Sequence, residues 1–255
     1  MEILKQQFPD ETFTTPTMSD EEKRKQIEHG ANAYSGELKY IDCPICLNKG
    51  YVIEIRENGV FGKECECVPK RRSMKRIQKS GLADMVNRYT MDTYIADTKS
   101  SETVKQKALQ YILEQNGWFF ICGNPGSGKT HICTAICGEL MKHRDLRYML
   151  WRDVAPRLKA LVNDGTEYEK MIRPLKETEV LYIDDFLKGK VSDADINLAF
   201  ELINARYNST EKLTIISTER SIEEIADMDE AVGSRIYERS KRFCVKAPSE
   251  NHRYA

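Results

Sequence analysis

The chain has 255 residues, with 39 lysines and arginines against 40 aspartates and glutamates, a formal net charge of −1. Apolar residues at 40% and charged residues at 31% are enough for a buried core and too much for a disordered chain, in one large domain or one domain plus a small module. The balanced charge excludes a uniformly basic coat, so nucleic-acid contacts would come from local patches. No apolar run approaches the ~20 residues of a membrane span. The first residues, with Glu2, Lys5, Asp10 and Glu11, lack the apolar stretch of a secretory leader, which predicts a cytoplasmic protein with no membrane partner.

In chain order, residues 1–18 read as a flexible arm containing Pro9 and Pro16. Ser19 and Glu22 have capping-box spacing, so the charged run Asp20–Glu28 reads as a helix, either solvated or docking a partner. Residues 40–69 hold four of the eight cysteines, and clustered cysteines in a reducing compartment read as metal ligands. Cys43-Pro44-Ile45-Cys46 and Cys65-Glu66-Cys67 enclose a strand-like run, Tyr51–Glu57, and an Asn58-Gly59 turn signal. A hairpin there would bring Cys43, Cys46, Cys65 and Cys67 around one tetrahedral, structural Zn²⁺, as in a zinc ribbon, although the second pair is Cys-x-Cys rather than Cys-x-x-Cys. Cys122, Cys133, Cys137 and Cys244 lie in apolar patterns and read as core packing. The acid-free run Lys70, Arg71, Arg72, Lys75, Arg76, Lys79 is an exposed linker helix or a contact to DNA or a partner. Residues 80–101 read as a connecting segment. Beyond them, helices over 105–115, 130–142 and 194–207 alternate with short apolar strands over 118–122, 146–151, 180–183, 213–218 and 243–245. That alternation predicts a parallel sheet covered on both faces.

Gly123-Asn124-Pro125-Gly126-Ser127-Gly128-Lys129-Thr130 is a complete P-loop pattern, placed between a strand and a helix and followed by His131. Its glycines let successive N–H groups face one phosphate, at a helix N-terminus that favours anions. Lys129 would reach the β- and γ-phosphates of ATP, and the Thr130 hydroxyl would ligate Mg²⁺. Val180-Leu181-Tyr182-Ile183-Asp184-Asp185 is a buried strand with two carboxylates at its C-terminal end, where open parallel sheets bind ligands. Asp184 would hold Mg²⁺ through water, and Asp185 would orient or deprotonate the attacking water. The next strand ends in Thr218-Glu219-Arg220, either a polar group beside the γ-phosphate or an ordinary strand-end turn. Arg235 and Arg239, spaced i, i+4, share one helix face. A guanidinium there could stabilise transition-state charge on a neighbour's phosphate, or simply belong to a surface helix.

With these motifs in this order, residues 80–255 resemble the DnaC-type replicative helicase loaders of the AAA+ superfamily and their relatives, the IstB-type transposition helpers. Asn87-Arg88-Tyr89-Thr90-Met91-Asp92-Thr93-Tyr94 resembles the segment these proteins carry before the first helix. Gly123–Thr130 and Leu181–Phe186 are similar to their two Walker motifs, doubled aspartate included, and Ile203–Tyr207 to the helix before their sensor strand. Ser217-Thr218-Glu219 falls where the family often has Ser-Asn, so Glu219 is a departure. Gly233-Ser234-Arg235 is similar to the arginine-finger region, which implies that Arg235 rather than Arg239 acts in trans.

The resemblance implies an α/β fold: a P-loop AAA+ parallel sheet flanked by helices over residues 80–255, without a C-terminal lid. Residues 1–79 would form a helicase-binding module carrying the zinc ribbon, a feature of Gram-positive and phage loaders that the transposition helpers usually lack. The implied activity is ATP hydrolysis, stimulated by DNA, that loads a hexameric replicative helicase onto single-stranded DNA. ATP, Mg²⁺ and Zn²⁺ are the implied cofactors, and ATP drives self-association into a ring or spiral. The strand would be held by the region after the second strand, including Arg152, Arg157, Lys159 and Lys170, with Lys188 and Lys190; each of these also reads as a solvated charge. Two further readings stay open: an ATP-dependent DNA-target selector for a transposase, and an adaptor that binds ATP without turnover.

Overall fold

The structure is a computed structural model that describes residues 19–39, 41–56, 59–79 and 82–248. The arm expected over residues 1–18, and Asn58 of the turn signal, lie outside them. The chain divides into two compact units, one ending at Cys65 and the other starting at Glu66.

In the first unit, helix α1 (Asp20–Asn32) opens with the expected capping box: the Glu22 N–H donates to Ser19 Oγ, and the Ser19 N–H donates to Glu22 Oε2 at 2.8 Å. Strands β1 (Tyr51–Arg56) and β2 (Gly59–Glu64) pair antiparallel, Tyr51 opposite Glu64 and Arg56 opposite Gly59. The other edge of β1 is met by side chains of α1. Asn32 exchanges two hydrogen bonds with Ile53, at 2.9 and 3.0 Å, and Glu28 accepts from the Ile55 N–H at 3.3 Å. Side-chain amide and carboxylate groups thereby satisfy an edge that would otherwise offer itself to another strand.

The second unit begins with α2 (Cys67–Lys79), α3 (Ala83–Arg88) and α4 (Lys99–Glu114). Then follow β3 (Trp118–Cys122), α5 (Lys129–Leu140), β4 (Leu146–Leu150), α6 (Trp151–Ala160) and α7 (Gly165–Glu177). The remaining elements are β5 (Val180–Asp184), α8 (Asp193–Tyr207), β6 (Leu213–Thr218), α9 (Ile222–Met228), α10 (Glu230–Ser240) and β7 (Cys244–Lys246). The five later strands form the predicted parallel sheet, in the order β4-β5-β6-β3-β7. Alternate residues of β3 enter opposite layers. Phe119 and Ile121 pack with Tyr111, Ile136, Tyr182 and Phe243, whereas Trp118 and Phe120 pack with Leu181, Ile183, Leu202 and Ile236. Each such side chain contributes on the order of 1.5–3 kcal/mol of burial free energy.

The structure differs from the sequence reading between the motifs. The connecting segment contains α3 and the start of α4, which Thr98 caps through a box with Ser101. Trp151 opens α6 rather than ending β4, because its ring turns onto Phe186 at 4.9 Å between centroids. The strand order places β6 between β3 and β5, so the C-terminal ends of all three lie side by side.

Candidate functional site

The P-loop follows β3 directly. Gly123, Gly126 and Gly128 have φ of +150°, +79° and +83°. A Cβ on Gly128 would also come within 3.3 Å of the Tyr94 ring. Gly128 is the N-cap of α5 and supplies no side-chain cap, so the first amides of the helix face the pocket with their partial positive charge. Lys129 Nζ donates to the carbonyls of Gly123 and Asn124, both at 2.7 Å. Burial lowers its pKa, and the nearby Glu219 charge opposes that shift. The loop, His131, Tyr89, Asp185, Lys188 and Glu219 enclose a cavity of about 330 Å³.

Thr130 and Asp184 meet at its floor. Thr130 Oγ1 lies 3.3 and 3.4 Å from the two Asp184 oxygens. Asp184 is buried at the end of β5 and accepts further hydrogen bonds from Ser217 Oγ, the Tyr148 hydroxyl at 3.2 Å and the Asp185 N–H at 3.1 Å. Burial and the Asp184 charge push the Tyr148 hydroxyl pKa up, so it stays a donor. A hydroxyl and a fixed carboxylate are hard oxygen donors, and they fit Mg²⁺.

Asp185 has φ +54° and turns toward the pocket, where both its oxygens accept from Lys188 Nζ, at 3.1 and 3.2 Å. Glu219 Oε1 is shielded from solvent, and the same ammonium, 2.7 Å away, compensates it. Burial opposes the charge on Lys188, but its bonds to Glu219 and Asp185 outweigh that effect and raise its pKa. Thr218 is fully buried: its hydroxyl donates to Phe186 O at 2.7 Å and accepts from the Arg220 N–H at 3.1 Å. The group that this turn presents to the pocket is therefore Glu219, and Thr218 holds the turn against the Asp185 loop.

His131 stacks on Tyr89 at 4.7 Å and meets the edge of Tyr94 at 5.3 Å. Its Nε2 lies 3.1 Å from Thr90 O, which can only accept, so Nε2 carries the hydrogen. Tyr89 entered the sequence reading only as part of a resemblance, and nothing in its spacing marked it as a pocket wall. Tyr148, which orients Asp184, carried no motif signal either, and Ser217, which does the same, entered only with the Ser217-Thr218-Glu219 resemblance; their places on the strands flanking β5 put both beside Asp184.

Arg235 lies outside this cavity. It donates to Ala231 O at 2.9 Å, with its guanidinium over Phe200 at 5.2 Å and Tyr207 at 5.5 Å. Arg239 ties α10 to the Ser209 carbonyl at 3.0 Å and covers Trp118. Of the basic residues expected to face a strand, Arg152, Lys159, Lys188 and Lys190 line one groove of about 170 Å³. Arg157 and Lys170 are not in its walls, and Lys170 pairs with Glu167 at 2.6 Å.

The sulfur atoms of Cys43, Cys46, Cys65 and Cys67 all lie within 4.8 Å of one another and are buried. Tetrahedral thiolates at the Zn–S distance of ~2.3 Å are about 3.8 Å apart, and Cys43 and Cys65 are separated by 3.7 Å, so the donor set fits Zn²⁺. Leu47 and Asn48, at φ +46° and +66°, turn the first knuckle. Asn48 Oδ1 accepts from the Cys43 N–H at 3.0 Å, and the Gly50 N–H donates to Cys46 Sγ at 3.4 Å. Arg71 Nε, in the basic run on α2, donates to Cys67 Sγ at 3.4 Å.

The five-stranded parallel sheet, the P-loop and the paired aspartates define a P-loop ATPase fold of the AAA+ class. The family model of the IstB-like ATP binding protein matches residues 60–254, and the chain belongs to that family. It is 29% identical over 199 residues to YqaM of Bacillus subtilis, covering 72% of this chain and 63% of YqaM, less than two thirds of that relative's length. It is 25% identical over 180 residues to the replicative helicase loader DnaC of Escherichia coli K12, covering 68% of this chain and 72% of DnaC. The crystal structure of the DnaC helicase loader matches with a TM-score of 0.56 at 25% identity, covering 64% of this chain and 98% of that one. Among the described residues, no helix is long and apolar enough to cross a membrane.

Proposed function

We propose that the chain acts in DNA replication as an ATP-hydrolysing loader that places a hexameric replicative helicase on single-stranded DNA. The observation that carries this reading is the convergence of Lys129, the Thr130–Asp184 pair and Asp185 on one pocket, in a chain similar to a named helicase loader. The α5 amides and Lys129 hold the phosphates of ATP. Thr130 and Asp184 would hold Mg²⁺, which when bound would supply charge screening to the phosphates. Asp185 orients the attacking water and takes its proton as the oxygen bonds to the γ-phosphorus, while the bond to the bridging oxygen breaks and ADP leaves with the electron pair. Arg235 acts on the ATP of a neighbouring copy, so hydrolysis depends on self-association into a ring or spiral. Residues 1–79, with their Zn²⁺, grip the helicase, and the groove of Arg152, Lys159, Lys188 and Lys190 holds the strand through its phosphates.

The family description also favours a second reading, an ATP-dependent DNA-target selector for a transposase. One experiment separates the two. The full chain is mixed with its host's replicative helicase, and the complexes are weighed by light scattering with and without ATP. The expected result is a complex with the helicase that Cys46→Ser weakens. No complex under any nucleotide condition would overturn helicase loading and move the test to a transposase.

A further inference from the structure

We propose that Lys188 couples the strand groove to the nucleotide pocket. Phosphates of a single strand lying along Arg152, Lys159 and Lys190 draw the Lys188 ammonium off Asp185 and Glu219, which frees Asp185 to accept the proton of the attacking water. The inference rests on the ATPase and strand-binding reading above.

Lys188 is the one residue, among those described, that lines both cavities. On the pocket side its ammonium is held by three carboxylate oxygens, two of Asp185 and one of Glu219. An ammonium seated on both oxygens of the Asp185 carboxylate occupies the acceptor positions that the attacking water would need. On the groove side, Lys159 is already paired with Asp195 at 2.6 Å, and Arg152 and Lys190 have no carboxylate partner among the described residues. Asp195, the acidic residue of the groove wall, is thus taken up by Lys159, and no second carboxylate in that wall balances Arg152 and Lys190; a phosphate backbone is the polyanion that fits them.

The backbone around Lys188 cannot carry the switch. Arg220 donates to Leu187 O at 2.8 Å and to Gly189 O at 2.7 Å, Phe186 is fully buried, and its carbonyl accepts from Thr218. Leu187 and Gly189 also sit at φ +52° and +87°. With both neighbours pinned, what can move is the flexible four-carbon stem of Lys188, whose side chain is 27% exposed and which lines the groove as well as the pocket. When it swings out, Asp185 and Glu219 are left facing the triphosphate without a counter-charge. Departure of Lys188 therefore raises turnover and weakens ATP binding together, a signature that a merely structural lysine does not give.

The test is steady-state ATP hydrolysis by the full chain with and without an oligothymidylate strand, with strand binding followed separately by fluorescence anisotropy. Lys188→Met and Lys188→Gln are expected to raise the strand-free kcat roughly fivefold, the size of one half-buried ion pair, to raise KM for ATP, and to abolish further stimulation by the strand. Lys188→Arg, which keeps the charge, is expected to remain stimulated by the strand. A strand-free kcat that is unchanged or lower in the Met and Gln variants overturns the inference, as does stimulation that survives in them. A wild-type chain that neither binds the strand nor hydrolyses ATP overturns the loader reading and this inference with it. A wild-type chain that does both, beside Met and Gln variants that respond like it, overturns the inference alone.

Discussion

Burial against Tyr89 and Tyr94 lowers the His131 pKa from its ordinary 6.5; the Lys105 charge lowers it further, and the bond to Thr90 O opposes both. The folded chain therefore binds fewer protons at this ring than the unfolded chain between the lowered value and 6.5. Stability is complete above 6.5, falls as pH drops through that value toward the lowered one, and levels off below it. Urea denaturation midpoints measured from about pH 8 to about pH 5 should show this fall, and His131→Asn should flatten it. A His131→Asn profile that falls as steeply as the wild type would mean that another group carries the effect. Arg206 has no carboxylate partner among the described residues. Read from sequence as part of a family-like helix, it is fully buried, and it donates to the carbonyls of Leu175, Thr178 and Leu213 and to Thr214 Oγ1. It ties α7, α8 and β6 together where no side chain of the opposite sign is needed.

Among the elements, the cysteine segment is the one whose buried donor set fits an ion. β2 is exposed along its length and β1 is only half-buried, so the pair has little apolar burial of its own. Four thiolates on one Zn²⁺ would supply it with on the order of 10 kcal/mol of apparent binding free energy. Titrating the chain with a mercurial should release one Zn²⁺ per chain to a colorimetric dye, with loss of amide protection over residues 43–67 and retention of it over β3, β5 and β6. Protection of 43–67 that survives thiol modification would refute a metal-ordered segment. The cysteine cluster was legible in sequence because ligand spacing is local, and the P-loop and Asp184 because a strand, a turn and a carboxylate are written consecutively. The helices α6, α7 and α9 are not legible in the sequence: Pro156 and Pro174 interrupt the helical pattern of the first two, and the third is only seven residues long. The Lys188 bridge was invisible for a different reason. It joins the loops after β5 and β6, and only the strand order β5-β6-β3 makes those loops neighbours.

At the scale of the whole molecule the pocket lacks a cation that its chemistry asks for. Lys129 and Lys188 are the basic side chains in its wall, and Lys188 is committed to Asp185 and Glu219. For charge that would build on the γ-phosphoryl oxygens in the transition state, Lys129 is at hand, and among the described residues no guanidinium lines the pocket. Under the function proposed above, Arg235 of a neighbouring copy supplies it: its helix, α10, packs on α8 and β3, and its guanidinium lies over the Phe200 and Tyr207 rings, outside its own chain's pocket. A head-to-tail contact of this kind generates rings or open spirals, and every pocket but a terminal one is completed by the next chain. The arrangement predicts complementation. Lys129→Ala and Arg235→Ala chains, each inactive in ATP hydrolysis alone, should recover activity when mixed, because an Arg235→Ala chain keeps an intact Lys129 pocket and a Lys129→Ala neighbour lends it an intact Arg235. Recovery should rise with total concentration and vanish on dilution below the assembly threshold. If the mixture stays inactive while both variants still assemble with wild-type chains, Arg235 does not act across the interface, and the missing cation has to be sought at Arg239 or on a partner protein.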